Sequence, residues 1–144
     1  MNQHTEHTEQ SKLISFIRHP FTVHQWPRLG EIFAIPNGAF ISKREAAKLQ
    51  REGVRSGPVD LCLPIRSYTG RFPCLWIEFK RPDGLGKVSA QQTEFMAHRE
   101  DEGHKTEVVY SATEGVRKVL AYAYGLDITA DQAKTYINGA LTCP

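Results

Sequence analysis

Inside the apolar segment CLWIEFK, residues 74–80, a carboxylate and an ammonium stand one residue apart, Glu78 and Lys80. Side chains alternate across a strand, so Cys74, Trp76, Glu78 and Lys80 share one face while Leu75, Ile77 and Phe79 take the other. An E-x-K pair alone describes a solvated face carrying an ion pair. The preceding apolar segment, PVDLCLP, changes that meaning, because Asp60 lies within it and chains seldom bury an unpaired carboxylate at a strand centre. Paired as a hairpin, the two segments bring Asp60 beside Glu78. Carboxylates that close repel, and a cation between them relieves the repulsion. Oxygen ligands in small number, with no histidine or cysteine among them, suit Mg²⁺ or Mn²⁺, which keep waters and accept phosphate oxygens. A lysine on the same face can orient or deprotonate an attacking water, or stabilise charge on a phosphate. Asp60, Glu78 and Lys80 together predict phosphodiester hydrolysis.

The rest of the chain must position these groups. Its 144 residues suit one domain with a substantial core, and 40% apolar with 24% charged residues disfavours disordered and membrane classes. No apolar run approaches the roughly 20 residues of a spanning helix, and the start, MNQHTEHTEQ, is polar, so an intracellular protein without a membrane partner is expected. Cys62, Cys74 and Cys143 lack C-x-x-C spacing and predict neither a disulfide framework nor a zinc knuckle; the first two are expected reduced and in the core. Nor do His4 and His7, though spaced for one helical face, make a zinc site. A net charge of +2 does not identify a polyanionic partner, so the placement of charge must.

Leu13, Phe16 and Ile17 recur at helical spacing, predicting a helix that ends before Pro20. A short buried strand is expected over 32–35, stopped by Pro36 and turned at Asn37-Gly38. Ser42 with Glu45 predicts a capping box, and Gly53 the end of that helix. VDLCLPI and CLWIEFK read as an antiparallel pair joined by RSYTGRFP. Ser89 with Gln92 opens a helix running to Gly103, KTEVVYS is a strand, and Val116, Val119, Leu120 and Ala123 line one face of the next helix. A last helix begins at the Thr129 cap. The expected class is α/β, a mixed central sheet with helices on both faces, in one domain over 1–144 with its core about 6–124 and a C-terminal helix over 129–141.

The stretches IPNG, EGVRSGPVDLCLP, IEFKRPDGLGKVSAQQ and EGHKTEVVYSATEGV follow one another in that order. Together they resemble the virus-type replication-repair nuclease (VRR-NUC) family of the PD-(D/E)XK superfamily, whose members carry IPNG, a basic helix, a PDL element, E-x-KR, a glycine and lysine loop and S-x-x-Q. The resemblance covers about residues 6–124. One departure stands out: the family writes proline directly before the aspartate, and here Val59 separates Pro58 from Asp60, which puts the local turn in doubt. The resemblance implies a restriction-endonuclease-like core, Asp60 and Glu78 as ligands of Mg²⁺ or Mn²⁺, and Lys80 as the catalytic lysine. It also implies a further glutamate from the first helix in an E-x-x-x-Q arrangement, which Glu6 and Gln10 fit, with Glu9 the other candidate; acidic residues there otherwise complement the helix dipole. Gln92 matches the glutamine of S-x-x-Q, where it would bond a water or the scissile phosphate. Capping Ser89 is its other use, and the two are expected to exclude each other. Gln91 projects about 100° away and is the weaker choice.

Arg44, Lys48, Arg51 and Arg55 follow steps of four, three and four, a stripe able to meet successive phosphates or simply to be solvated surface. Arg81 and Lys87, with Gly84 and Gly86, form a basic loop after the catalytic strand, and Asn37 can reach a phosphate or cap its own turn. Trp26 and Trp76 are expected to be core residues rather than stacking platforms for bases. The expected activity is a Mg²⁺- or Mn²⁺-dependent DNA endonuclease, structure-selective on branched DNA in the manner of Holliday-junction resolvases. The alternatives are a catalytically silent nucleic-acid-binding module and a nuclease acting on RNA or plain duplex DNA. Stand-alone members of this length resemble phage enzymes, which implies the cytoplasm of a bacterial host. Two symmetric cuts in a four-way junction imply a homodimer, for which Tyr136, Ile137 and Leu141 offer an apolar surface unless they finish the core.

Overall fold

The computed structural model describes residues 2–36, 42–55 and 58–142. Helix α1, Asn2–Arg18, stops where expected, one residue short of the pair His19-Pro20. Two further elements have no counterpart in the sequence reading. Pro20, there a helix stop, and Pro27 each occupy the first position of a new turn, opening α2, Pro20–Gln25, and a 3-10 turn, Pro27–Glu31. Proline suits that position because its missing N–H has no helical partner there. Strand β1, Phe33–Ala34, is shorter than 32–35 and is not buried: both residues are exposed, Phe33 by 50%. It is an edge strand with one neighbour, which the apolar run could not reveal.

After α3, Lys43–Arg51, come β2, Leu61–Leu63, and β3, Leu75–Phe79, then α4, Ala90–Asp101, β4, Lys105–Val109, α5, Ala112–Tyr124, and α6, Ala130–Thr142. The sheet runs β1-β2-β3-β4. Its first two pairings are antiparallel and β3 lies parallel to β4, with α4 as the crossover. The mixed sheet of the expected α/β class is therefore present.

Alternation divides the sheet. Leu61, Leu63, Leu75, Ile77 and Phe79 turn to one face, where they join Leu13, Phe16 and Ile17 of α1, Val116, Val119 and Leu120 of α5, and Ala133 and Ile137 of α6. Gly115 lets α1 and α5 approach over β3: a Cβ there would meet Leu13 Cδ2 at 3.1 Å and Phe79 Cζ at 3.4 Å. Trp26 packs edge-on against Phe21 and Tyr136 beside this core. Of the α6 residues weighed as a dimer surface, Ile137 and Tyr136 are thus occupied within the chain, and Leu141 is exposed. The other face of the sheet belongs to α4, whose Phe95 meets Trp76 edge-on at 5.2 Å. Helices cover both faces, and Asp60, Glu78 and Lys80 lie on the α4 side.

Candidate active site

Leu61 pairs with Ile77, so one step further the register sets Asp60 opposite Glu78. Backbone bonds fix Asp60 there: its N–H donates to Ile77 O at 3.1 Å, its carbonyl accepts from Ile35 N at 2.8 Å, and its Oδ2 accepts from Phe79 N at 2.7 Å. The family departure at Val59 costs nothing in frame. Val59 is fully buried, and the next residue turns to the opposite face.

Glu78 is 2% exposed and Lys80 8%. Glu78 Oε1 receives two donors, Lys80 Nζ at 3.0 Å and Gln92 Nε2 at 2.7 Å, while its buried Oε2 has no donor among the described residues. The Asp60 and Glu78 carboxyls lie close enough to share a proton. Burial, then the Asp60 charge, pushes Glu78 up to about 7 despite the Lys80 ammonium. Burial also raises Asp60, against the pull of the Phe79 N–H, Lys80 and His7. Two carboxylates and one ammonium leave this enclosed cluster a net negative charge when all are ionised.

Gln92 caps α4 and still points a donor into the site, against the expectation that one amide cannot point both ways. Its Oε1 accepts from Ser89 N at 3.0 Å, closing the capping box, while its Nε2 reaches Glu78. The amide has two ends, and α4 is capped in the orientation that aims the donor at the carboxylate.

Glu6 is half-buried on α1, and among the described residues no three histidine, cysteine, aspartate or glutamate side chains gather as a metal-binding group. Glu9 pairs instead with Lys12 at 3.1 Å. The residue of α1 whose charge reaches Asp60 is His7. Only the fold reveals that, since α1 packs on the opposite face of the sheet and merely its first turns pass the site.

Helix α3 has no buried residue, and Arg44, Lys48, Arg51 and Arg55 are all exposed. Lys48 is 3.9 Å from Glu52, and the Arg55 guanidinium sits over the Phe95 ring of α4 at 5.9 Å, tying the end of the stripe to the α4 face. In the basic loop, Asp83 engages the Arg81 guanidinium and accepts from Leu85 N at 2.9 Å, while Lys87 is exposed. Asn37 lies outside the described residues. Sequence reasoning also missed a cluster flanking the site: Trp76 Nε1 donates to His104 Nδ1 at 2.8 Å, and Arg99 stands 5.1 Å over Phe95. Its members lie up to 28 residues apart, and no local spacing announces them.

No family model and no curated protein matches the chain. Two solved chains do, and one of them, a VRR_NUC domain protein, is 25% identical with a TM-score of 0.65, covering 88% of this chain and 93% of its own. With a mixed four-stranded sheet between helices, matched along nearly the whole of both chains, this protein shares the fold of that VRR_NUC domain protein.

Proposed function

We propose that the protein is a divalent-metal-dependent deoxyribonuclease of the PD-(D/E)XK type, selective for branched DNA. The observation that carries this reading is the buried Glu78 carboxyl beside Asp60, whose Oε2 has no hydrogen-bond donor among the described residues. Chains seldom tolerate such an atom unless something cationic occupies the gap. Asp60 and Glu78 would hold Mg²⁺ or Mn²⁺ through oxygen, the donor chemistry these ions prefer. The bound ion supplies Lewis acidity towards a phosphate oxygen and a more acidic water.

The protein's own groups do the remainder. Asp60, locked by the Phe79 N–H, keeps one oxygen direction fixed. Gln92 and Lys80 both grip Glu78 Oε1, which leaves Oε2 without a hydrogen-bond donor among the described residues. Lys80, almost wholly enclosed, places an ammonium where it can hydrogen-bond an attacking water or the phosphate it attacks. The stripe on α3, free of core duties, supplies sequence-independent attraction to a phosphate backbone.

The test compares cleavage of a labelled four-way junction, plain duplex and structured RNA in Mg²⁺, Mn²⁺ or EDTA, with Glu78→Ala as control. Junction cleavage that requires metal and Glu78 is expected. Equal cutting of duplex or RNA would overturn the substrate assignment, and a fully active Glu78→Ala the site.

A further inference from the structure

On the same face as Asp60 and Glu78 lie Cys62 of β2, one pleat from Asp60, and Cys74 just before β3, two pleats from Glu78. Both are buried, 3% and 8% exposed, and both are free thiols. Their sulfurs are 3.4 Å apart. We propose that Cys62 and Cys74 are a peroxide-responsive pair that closes into a disulfide and staples β2 to β3 beneath the carboxylates.

Closure to an S–S bond of about 2.05 Å asks the sulfurs to approach by roughly 1.4 Å, which side-chain rotation can supply. Reactivity is assigned to Cys74. It is the more accessible of the two, and the hydrogen bond from Cys62 and then the Arg99 charge hold its thiol below the usual range, against burial. Arg99, whose guanidinium also stands over the Phe95 ring, has no acceptor for its Nε among the described residues. A thiol whose ionised form is favoured by a nearby cation is the kind that peroxide attacks.

The chemistry balances. The Cys74 thiolate attacks hydrogen peroxide; an S–O bond forms, the O–O bond breaks, and the departing hydroxide takes the proton Cys74 released, leaving as water. The Cys62 sulfur then attacks the resulting sulfenic acid, an S–S bond replaces S–O, and the hydroxyl departs with the Cys62 proton as a second water. Two thiols are oxidised and one peroxide is reduced.

The test uses the reduced full-length chain in a Cys143→Ser background, treated with hydrogen peroxide, alkylated, and digested with trypsin without reductant. A loss of two hydrogens in intact mass is expected, with peptide 56–66 linked to peptide 72–80 and the link reversed by dithiothreitol. In Cys62→Ala, dimedone should instead label Cys74 as the sulfenic acid. Separate peptides carrying sulfinic or sulfonic acids in the Cys143→Ser chain would overturn the proposal whatever the behaviour of Cys62→Ala. So would dimedone labelling confined to Cys62 in Cys74→Ala.

Discussion

Glu78→Gln should stabilise the metal-free protein at pH 8 and leave it nearly unchanged at pH 4.5. Burial and the Asp60 charge lift Glu78 from its ordinary 4.5 to about 7 in the folded chain. Below pH 4.5 the folded and unfolded states both hold the proton, and ionisation costs nothing. Between 4.5 and 7 the unfolded chain releases its proton first, so stability falls as pH rises. Above 7 the full penalty persists. At about 1.36 kcal/mol per pH unit that penalty is about 3 kcal/mol. Glutamine is neutral throughout and takes the ionised cluster from a net negative charge to zero, while Lys80 keeps Asp60 as its counter-ion. Gln92 still finds an oxygen to bond. Some ion-pair energy with Lys80 is lost, so the expected gain at pH 8 is about 2–3 kcal/mol, or roughly 5–10 °C in the unfolding midpoint for a chain of this length. Urea unfolding in EDTA, followed by tryptophan fluorescence at pH 4.5, 6 and 8, reads it directly. A variant no more stable than wild type at pH 8, or equally advantaged at pH 4.5, would refute the reasoning.

Gln92→Ala removes both the Ser89 cap and a donor to Glu78, so it should cost about 2–3 kcal/mol at pH 8 by the same unfolding assay and weaken Mn²⁺ binding measured by calorimetry. Gly125→Ala forces a left-handed φ of +67° on an L residue and sets its Cβ 2.5 Å from the Tyr68 ring. Thermal unfolding should show a loss of about 1–2 kcal/mol, with the part due to Tyr68 relieved in a Tyr68→Ala background. Replacing Arg44, Lys48 and Arg51 together with Gln should leave stability within about 0.5 kcal/mol, because α3 has no buried residue. In Mg²⁺-free anisotropy titrations on DNA the log–log salt slope should fall by about 0.9 for each phosphate that the variant no longer neutralises; an unchanged slope would place the nucleic acid elsewhere.

What could be read from the chain follows from period and spacing. Alternation along 74–80 is enough to put Glu78 and Lys80 together, and one turn-rich connection is enough to bring Asp60 opposite them. The caps at Ser42 and Ser89 were visible for the same reason, being fixed offsets of three residues. Features that depend on sheet order or on through-space contact were not. Nothing in EIFAIP says that β1 has one neighbour, and so its apolar residues read as buried. Proline has two opposite meanings, stopping one helix and starting the next, and at Pro20 the periodicity of α1 exposes only the first. Cys62 and Cys74 meet diagonally in the same register, Cys62 opposite Trp76, and that through-space approach of two sulfurs has no fixed sequence offset to announce it.

The same physics bears on the buried, donor-less carboxylate oxygen of Glu78. Three charged groups enclosed between β2, β3 and α4 lower the stability of the empty protein by an amount that grows with pH. A cation bound between Asp60 and Glu78, as proposed above, would return about 2.7 kcal/mol at a hundred times its dissociation constant, the same order as the penalty worked out for Glu78. On that proposal, folding cost and metal affinity are two readings of one desolvation. Any substitution that relaxes the cluster, Glu78→Gln first among them, should gain stability in EDTA and lose the response to Mg²⁺ in equal measure. Adding saturating Mg²⁺ at pH 8 should raise the wild-type midpoint and leave the variant where it was. A variant that rose as far as wild type would show that these carboxylates are not where the ion binds.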